Sequence, residues 1–348
     1  MRNILLLAAM LTLTIPPVSA VSIVDTRSQY ETLPSLGNAI EWLNSKPLTP
    51  ESLLGKVVLI DFLTYTCVNW RRTLPYVRAW ANKYGDKGLV VIGVHTPEFG
   101  FERNTENVRQ AMKDMRIDYP IAIDSNYAIW HAFGNEYWPA LYLADAQGHI
   151  RYHHFGEGAY QESERVIRDL LTEAGSRNLG HEPVSVDPRG LEVAADVADL
   201  ASSENYVGYD RTVGFASPGG AVWDESNVYA APAQLGLNSW ALAGSWAIGR
   251  EAVLLNKVPG RIVYRFHARD LNLVMGPTTR GGSVRFRVLV DGQPAGAARG
   301  SDVDADGYGT ASEQRTYQLI RQSRPIINRL FEIEVLSPGM EAFDFTFG

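Results

Sequence analysis

The sequence predicts two domains of different class: an α/β domain built on a mixed central sheet, then an all-β, jelly-roll-like sandwich. Three observations carry that reading. Between residues 57 and 174, short apolar runs rich in β-branched residues alternate with helical stretches, then give way to a hairpin and a closing helix. From residue 206 onward the runs are short and alternating, with turn residues between them as in an antiparallel sandwich. Residues 176–204, between the two, lack sustained periodicity and contain Gly180, Pro183, Pro188 and Gly190, a linker composition.

Taken in order, residues 1–20 read as a targeting segment. Arg2 gives a positive start, residues 4–15 form an uncharged apolar core, Pro16 and Pro17 break it, and Val18-Ser19-Ala20 offers small residues for cleavage. The core is too short to span a bilayer comfortably. The expectation is a periplasmic or secreted protein, cleaved near Ala20. The α/β domain then covers residues 21–175. Its elements are a buried strand over residues 57–63, a helix over 68–84 ended by Gly85 and Gly88, and a second strand over 89–94. An amphipathic helix follows at 104–115, an extended piece at 121–124 and a short helix at 127–133. A hairpin pairs 140–144 with 150–155 across Gln147-Gly148, and the last helix covers 161–174. In the second domain, residues 205–348, strands are predicted at 245–248, 262–268, 284–290, 317–320, 330–335 and 342–347.

Charge and cysteine count narrow the function. A net charge of -7 argues against a nucleic-acid partner, which would require a basic stripe. Exported proteins usually staple themselves with paired cysteines, yet this chain has one, Cys67, so no internal disulfide can form. Both domains must be held by packed cores, and the lone thiol calls for a reason of its own.

Cys67 follows a buried strand and precedes a helix. A helix N-terminus presents unpaired N–H groups and about half a positive charge, which favours thiolate over thiol. Such placement lowers a cysteine pKa from its usual value near ~8.5, and Arg71 and Arg72, one turn on, would add to the effect if they face the sulfur. Asp61 ends the buried strand six residues earlier, where desolvation should raise its pKa and fit it to relay a proton. Trp138-Pro139, before the strand at 140–144, is a candidate cis-proline edge for docking an extended substrate. Trp70 and Trp138 would then either flank the sulfur as an apolar binding face or pack the rim.

These positions fall into a known pattern. Asp61-Phe62 before the cysteine, Pro75 after it and Pro139 leading a strand resemble thioredoxin. The stretches DFLTYTCVNWRRTLPYV (61–77), GVHTPEFGFERN (93–104) and NEYWPALYLADAQGHIRYHHFGEG (135–158) are similar to the thioredoxin-like soluble part of DipZ-type proteins, related to the redoxins. NYVGYDR (205–211) and TYQLIRQ (316–322) resemble the carbohydrate-module-like β-sandwich attached to that part. The resemblance implies a thioredoxin-like fold and thiol-disulfide chemistry, with Cys67 as nucleophile, Asp61 as proton relay and Trp70, Trp138 and Pro139 as the substrate edge. One departure is decisive: the family's Cys-x-x-Cys reads Cys67-Val68-Asn69-Trp70 here. Without a resolving thiol, the dithiol reductase cycle cannot run.

What remains is a monothiol reaction on exported cysteine-containing proteins. Release would come from an external thiol or membrane electron donor, or from the client's own second cysteine in an isomerase-like shuffle, and a stalled adduct would give trapping. No tightly bound organic cofactor is implied. The competing expectation is a non-catalytic binding protein that keeps the fold without the redox chemistry. A smaller one is a thiol peroxidase, since Thr64 and Cys67 have Thr-x-x-Cys spacing, although Ile60 stands where that chemistry places a proline.

In the second domain, Asp302, Asp304, Asp306, Gly307 and Glu313 satisfy the spacing of an EF-hand calcium loop, with a solvated acidic hairpin as the alternative. Trp223, Tyr229, Trp240 and Trp246 are candidate stacking platforms for a carbohydrate, with core packing or contact with a protein partner as the alternatives. The histidines are scattered, with no spacing that suggests zinc.

Overall fold

A computed structural model describes residues 32–348; the targeting segment and its cleavage site near Ala20 lie outside the described residues. The first domain is a six-stranded mixed sheet flanked by helices. Its strands are β1 (Glu41–Leu43), β2 (Val57–Leu63), β3 (Leu89–His95), β4 (Ile121–Ile123), β5 (Ala140–Ala144) and β6 (Ile150–Phe155). Its helices are α1 (Pro50–Leu53), α2 (Val68–Tyr84), α3 (Thr105–Asp114), α4 (Ala128–Ala132) and α5 (Tyr160–Glu173). The strand order is β1-β4-β3-β2-β5-β6, with β2, β3 and β4 parallel and the remaining pairs antiparallel.

Every residue of β2 is buried, which explains its continuous apolar sequence. Val57, Leu59 and Leu63 pack into the core shared with α2 and α5, while Val58, Ile60 and Phe62 enter the core shared with α4. Helix α2 leaves the sheet at the end of β2, so the strand's C-terminal edge fixes where Cys67 stands.

The second domain contributes β7 (Asn205–Tyr206), β8 (Ser226–Tyr229), β9 (Trp240–Ile248), β10 (Val253–Phe266), β11 (Asp270–Pro277) and β12 (Val284–Val290). It continues with β13 (Gln293–Pro294), β14 (Tyr308–Ala311), β15 (Arg315–Arg321), β16 (Arg329–Val335) and β17 (Met340–Phe347). Among the described residues these form one 11-stranded, curled antiparallel sheet around one main apolar core, with a smaller cluster of Leu235, Ala241 and Val263 beside it. The sheet is continuous because the 14-residue β10 changes partner along its length: Val253 and Leu254 pair with β17, and Gly260 to Phe266 with β16.

Residues 176–204 hold no strand or α-helix, only 3-10 turns at Gly190–Glu192 and Val197–Asp199, but they are tied down. Glu192 pairs with Arg78 of α2 at 2.8 Å, and Arg324 of the second domain with Asp196 at 2.8 Å. The domains also pack directly: Phe99 and Phe101 meet Phe343, Val274 and Tyr206 in an apolar cluster.

Candidate active site

Cys67 is the residue before α2, where the backbone is extended and its amide donates to the Thr64 carbonyl at 3.2 Å. Its side chain is half-buried. The sulfur lies 3.8 Å from the Trp138 carbonyl oxygen, toward which the thiol donates, and the Trp138–Pro139 peptide is cis. The structure therefore brings Cys67, Trp138 and Pro139 together. Trp138 is partly exposed and its ring packs 4.3 Å from Trp130.

Asp61 and Trp70 form a different group, beneath the surface. Trp70 is fully buried and donates its indole N–H to Asp61 Oδ2 at 3.0 Å. Asp61 Oδ1 is buried with no hydrogen-bond partner. Burial pushes this carboxyl up from 3.8 to about 7, against the opposing pull of the Trp70 hydrogen bond. Trp70 consequently cannot be part of a substrate-binding surface, which corrects that expectation: the bulky indole at the resolving position is turned inward to fill core space and cap the buried acid.

The expected thiolate is not favoured either. Burial pushes the Cys67 thiol well above its ordinary value, and the Glu98 and Glu204 carboxylates push it further. The backbone amides of Trp70 and Asn69 at the helix start pull the other way without prevailing. Nor do the arginines supply the missing positive charge. Arg72 is buried and held by Glu157 at 2.9 Å and the Phe347 carbonyl at 3.0 Å. Arg71 lines a cleft between the domains.

Sequence reasoning missed two further groups. Glu102 is buried and ties the active-site loop together, accepting from the Thr66 hydroxyl at 2.6 Å, the Thr66 amide at 3.3 Å, the Glu98 amide at 2.7 Å and the Phe99 amide at 2.9 Å. The second group is acidic and sits where the domains meet. Glu98 accepts from Tyr206 at 2.5 Å and from Arg211 at 3.1 Å, while Glu204 accepts from Tyr206 at 3.3 Å. Asp344 is buried beside Glu204 and both carboxyls are raised, first by burial and then by their acidic neighbours. The domain contact reaches the cysteine loop itself, where the Thr316 hydroxyl donates to the Thr66 carbonyl at 2.5 Å and the Tyr65 hydroxyl to the Gln314 carbonyl at 3.3 Å. Local patterning in the sequence carried no signal of either group.

The acidic run of the second domain is not gathered around a common point. Asp302 is engaged by Arg315 at 2.7 Å and the Gln318 amide at 2.8 Å; Asp304 accepts from the Asp306 and Tyr308 amides at 3.0 and 2.8 Å. Glu313 lies beyond β14, and among the described residues no group of three His, Cys, Asp or Glu side chains is placed to hold a metal ion. The calcium-loop expectation for Asp302, Asp304, Asp306 and Glu313 is corrected on that ground: Asp302 is held by the strand that follows and Asp304 by the turn's own amides, and the four carboxylates are not brought together. Of the four candidate sugar platforms, Tyr229, Trp240 and Trp246 are core residues. Trp223 is 62% exposed and stacks on Tyr209 at 5.2 Å.

Comparison with known proteins matches each half of the chain to a family. Residues 32–170 match the Redoxin family, and residues 202–348 match the family described as Thioredoxin like C-terminal domain. Protein DipZ of Mycobacterium tuberculosis is 37% identical over 331 residues, covering 93% of this chain and 44% of the relative. The chain thus spans less than half the length of that relative. Thiol-disulfide oxidoreductase YkuV of Bacillus subtilis is 32% identical over 142 residues, covering 40% of this chain and 95% of YkuV. A solution structure of a thioredoxin-like protein in its oxidised form is 32% identical, with a TM-score of 0.37, over 41% of this chain and 95% of that one. No helix among the described residues is long and apolar enough to cross a membrane.

Proposed function

Since this chain belongs to the redoxin family of thioredoxin-like, thiol-disulfide oxidoreductase-type proteins, we propose that it acts on protein thiols and disulfides through the single nucleophile Cys67. The observation that carries the proposal is the half-buried Cys67, its sulfur 3.8 Å from the carbonyl of a cis Trp138–Pro139 edge. An extended client laid along that edge presents its disulfide to the sulfur. Cys67 attacks one client sulfur, the client's S–S bond breaks, and its other sulfur leaves as thiolate. With Trp70 at the resolving position, a thiol from outside the protein, a membrane electron donor or the client itself completes the exchange. Asp61, half-protonated near pH 7, is the proposed proton store, with Oδ1 as the oxygen free to exchange.

The clients in this reading are exported cysteine-containing proteins, since residues 1–20 carry the pattern of an export signal. A mature N-terminus near residue 21, found by mass spectrometry of the native protein, supports this; an intact N-terminus overturns it. Trp223 remains the proposed stacking site for any carbohydrate partner of the second domain.

Reactivity decides between this reading and a second, a binding protein without redox chemistry, which the raised thiol and inward Trp70 favour. Only the thiolate attacks, so the alkylation rate of folded protein should climb steadily from pH 7 to 10, with Cys67→Ala as the blank. A thiol inert to alkylation across that whole range would remove the enzyme reading.

A further inference from the structure

Acids outnumber bases beside the cysteine loop, where the domains meet. Glu98 and Glu204 lie there with Asp344, and Glu251 reaches the same loop from the second domain, accepting from the Gly100 amide at 3.1 Å. Arg211 is committed to Glu98 at 3.1 Å and lies 3.4 Å over the Tyr206 ring. Arg103 is committed to the Ser125 carbonyl at 2.6 Å and the face of Tyr127. Neither guanidinium is paired with Glu204 or Asp344. Asp344 is 2% exposed, and its Oδ1 has no hydrogen-bond partner among the described residues. Beside it stands Glu204, which is exposed. Two carboxyls side by side need a proton or a cation between them, and the outer one is open to a cation from solvent.

Strand register ties this pair to the cysteine. Thr316 on β15, Val274 on β11, Asp344 on β17 and Tyr206 on β7 are opposed in turn across the sheet, so their side chains share the face turned to the first domain. Thr316 holds the Thr66 carbonyl at one end of that row, and Asp344 lies two strand spacings away, roughly 10 Å. From the first domain, Glu102 clamps the Thr66 hydroxyl at 2.6 Å and the Glu98 amide at 2.7 Å. The charges of Glu98 and Glu204 accordingly reach the sulfur, where they raise the thiol.

We propose that Glu204 and Asp344 form a cation subsite beside Cys67, by which the protein selects client disulfides flanked by lysine or arginine. This rests on the thiol-exchange reading above and names its substrate class. The client's ammonium or guanidinium takes the place of a proton between the two carboxyls and needs no change in the chain's own ion pairs. Its charge also offsets those that hold the sulfur as a thiol, so a matching client eases formation of the attacking thiolate. A client with an acidic neighbour adds a like charge to the same rim and is turned away.

The test uses the full chain and three acetylated, amidated peptides that differ only in the residue beside their cysteine, lysine, glutamine or glutamate. Each carries its cysteine as a 2-pyridyl disulfide; Cys67 attacks the peptide sulfur and pyridine-2-thiolate leaves, which is read by absorbance. At low salt the lysine peptide should react about tenfold faster than the glutamate peptide, with glutamine between them. Salt at about 1 M, where the Debye length falls to about 3 Å, should level the three. Glu204→Gln should cut the lysine-to-glutamate rate ratio at least about threefold, while speeding the glutamine peptide because one charge opposing the thiolate is gone. A wild-type ratio near one, or a ratio that Glu204→Gln leaves unmoved, overturns the subsite. A cysteine-free oligolysine peptide separates the subsite from the chemistry. At low salt it should raise the Tm of wild type more than that of Glu204→Gln, and equal or absent shifts overturn the subsite whether or not Cys67 reacts. Failure of all three peptides to release pyridine-2-thiolate overturns the thiol-exchange reading instead.

Discussion

At the scale of single residues, the Asp61–Trp70 pair shows how an indole in the first turn of α2 shapes its surroundings. The buried acid keeps one oxygen on the indole and leaves the other unpartnered, so ionising it is unfavourable. The sign of its pH effect follows. A carboxyl raised in the folded state stabilises most below its unfolded value near 3.8, and that contribution is lost as pH rises through about 7. Asp61→Asn keeps an acceptor for Trp70 and cannot ionise. Relative to that variant, wild type should lose roughly 4 kcal/mol between pH 4 and pH 8, an upper figure for a group this buried. Urea midpoints at the two pH values check this; a constant difference would show that Asp61 ionises freely. Cys67 was legible in the sequence because its cues are local, a strand end and a helix start. Its pKa was not, because Glu204 arrives from a segment 137 positions away in the chain.

At the scale of elements, the loop between β2 and α2 is held by Glu102, from a 3-10 turn at Gly100–Arg103. One carboxylate answers four donors, so removing it strands several buried groups at once. Glu102→Ala should destabilise the fold by roughly 2–4 kcal/mol, and the amides of Thr66 and Phe99 should lose hydrogen-exchange protection before the sheet does. Protection lost uniformly across the domain would show no local role. The boundaries of β2, α2, β5 and β6 were legible because apolar runs end there at Gly, Pro or polar residues. β11 was not anticipated. Leu271, Leu273 and Met275 enter the core of the second domain while Val274 packs on Phe99 of the first, so the strand shows no solvent face to give an alternating pattern.

At the scale of the whole molecule, an acidic cluster lies where the two domains meet, with Asp344 buried and Glu204 at the surface. Glu204 and Asp344 are both raised, so the docked arrangement favours their protonated forms; its stability is fullest below the ordinary carboxylate range near 4 and declines as pH rises through their folded values. Domain contact should therefore loosen toward alkaline pH, seen as faster proteolysis within residues 176–204 at pH 9 than at pH 6 in a protein whose domains stay folded. Phe343→Ala, which empties the ring between Phe99 and Phe101, should loosen the same contact at fixed pH and speed Cys67 alkylation severalfold. Unchanged alkylation would mean that the second domain does not guard the sulfur. The division into an α/β and an all-β half was readable from periodicity; the docking was not, because it depends on side chains from Glu98, Glu204 and Asp344 that only the folded chain assembles.

The hydroxyl of Thr316 occupies a main-chain acceptor on the residue just before the cysteine. Any visiting polypeptide that needs this acceptor must displace a rival tethered to the same chain, present at an effective concentration on the order of millimolar. On the proposed thiol-exchange reading, weakly held visitors should lose that contest, and the appended half would set a threshold favouring tight or long-lived clients.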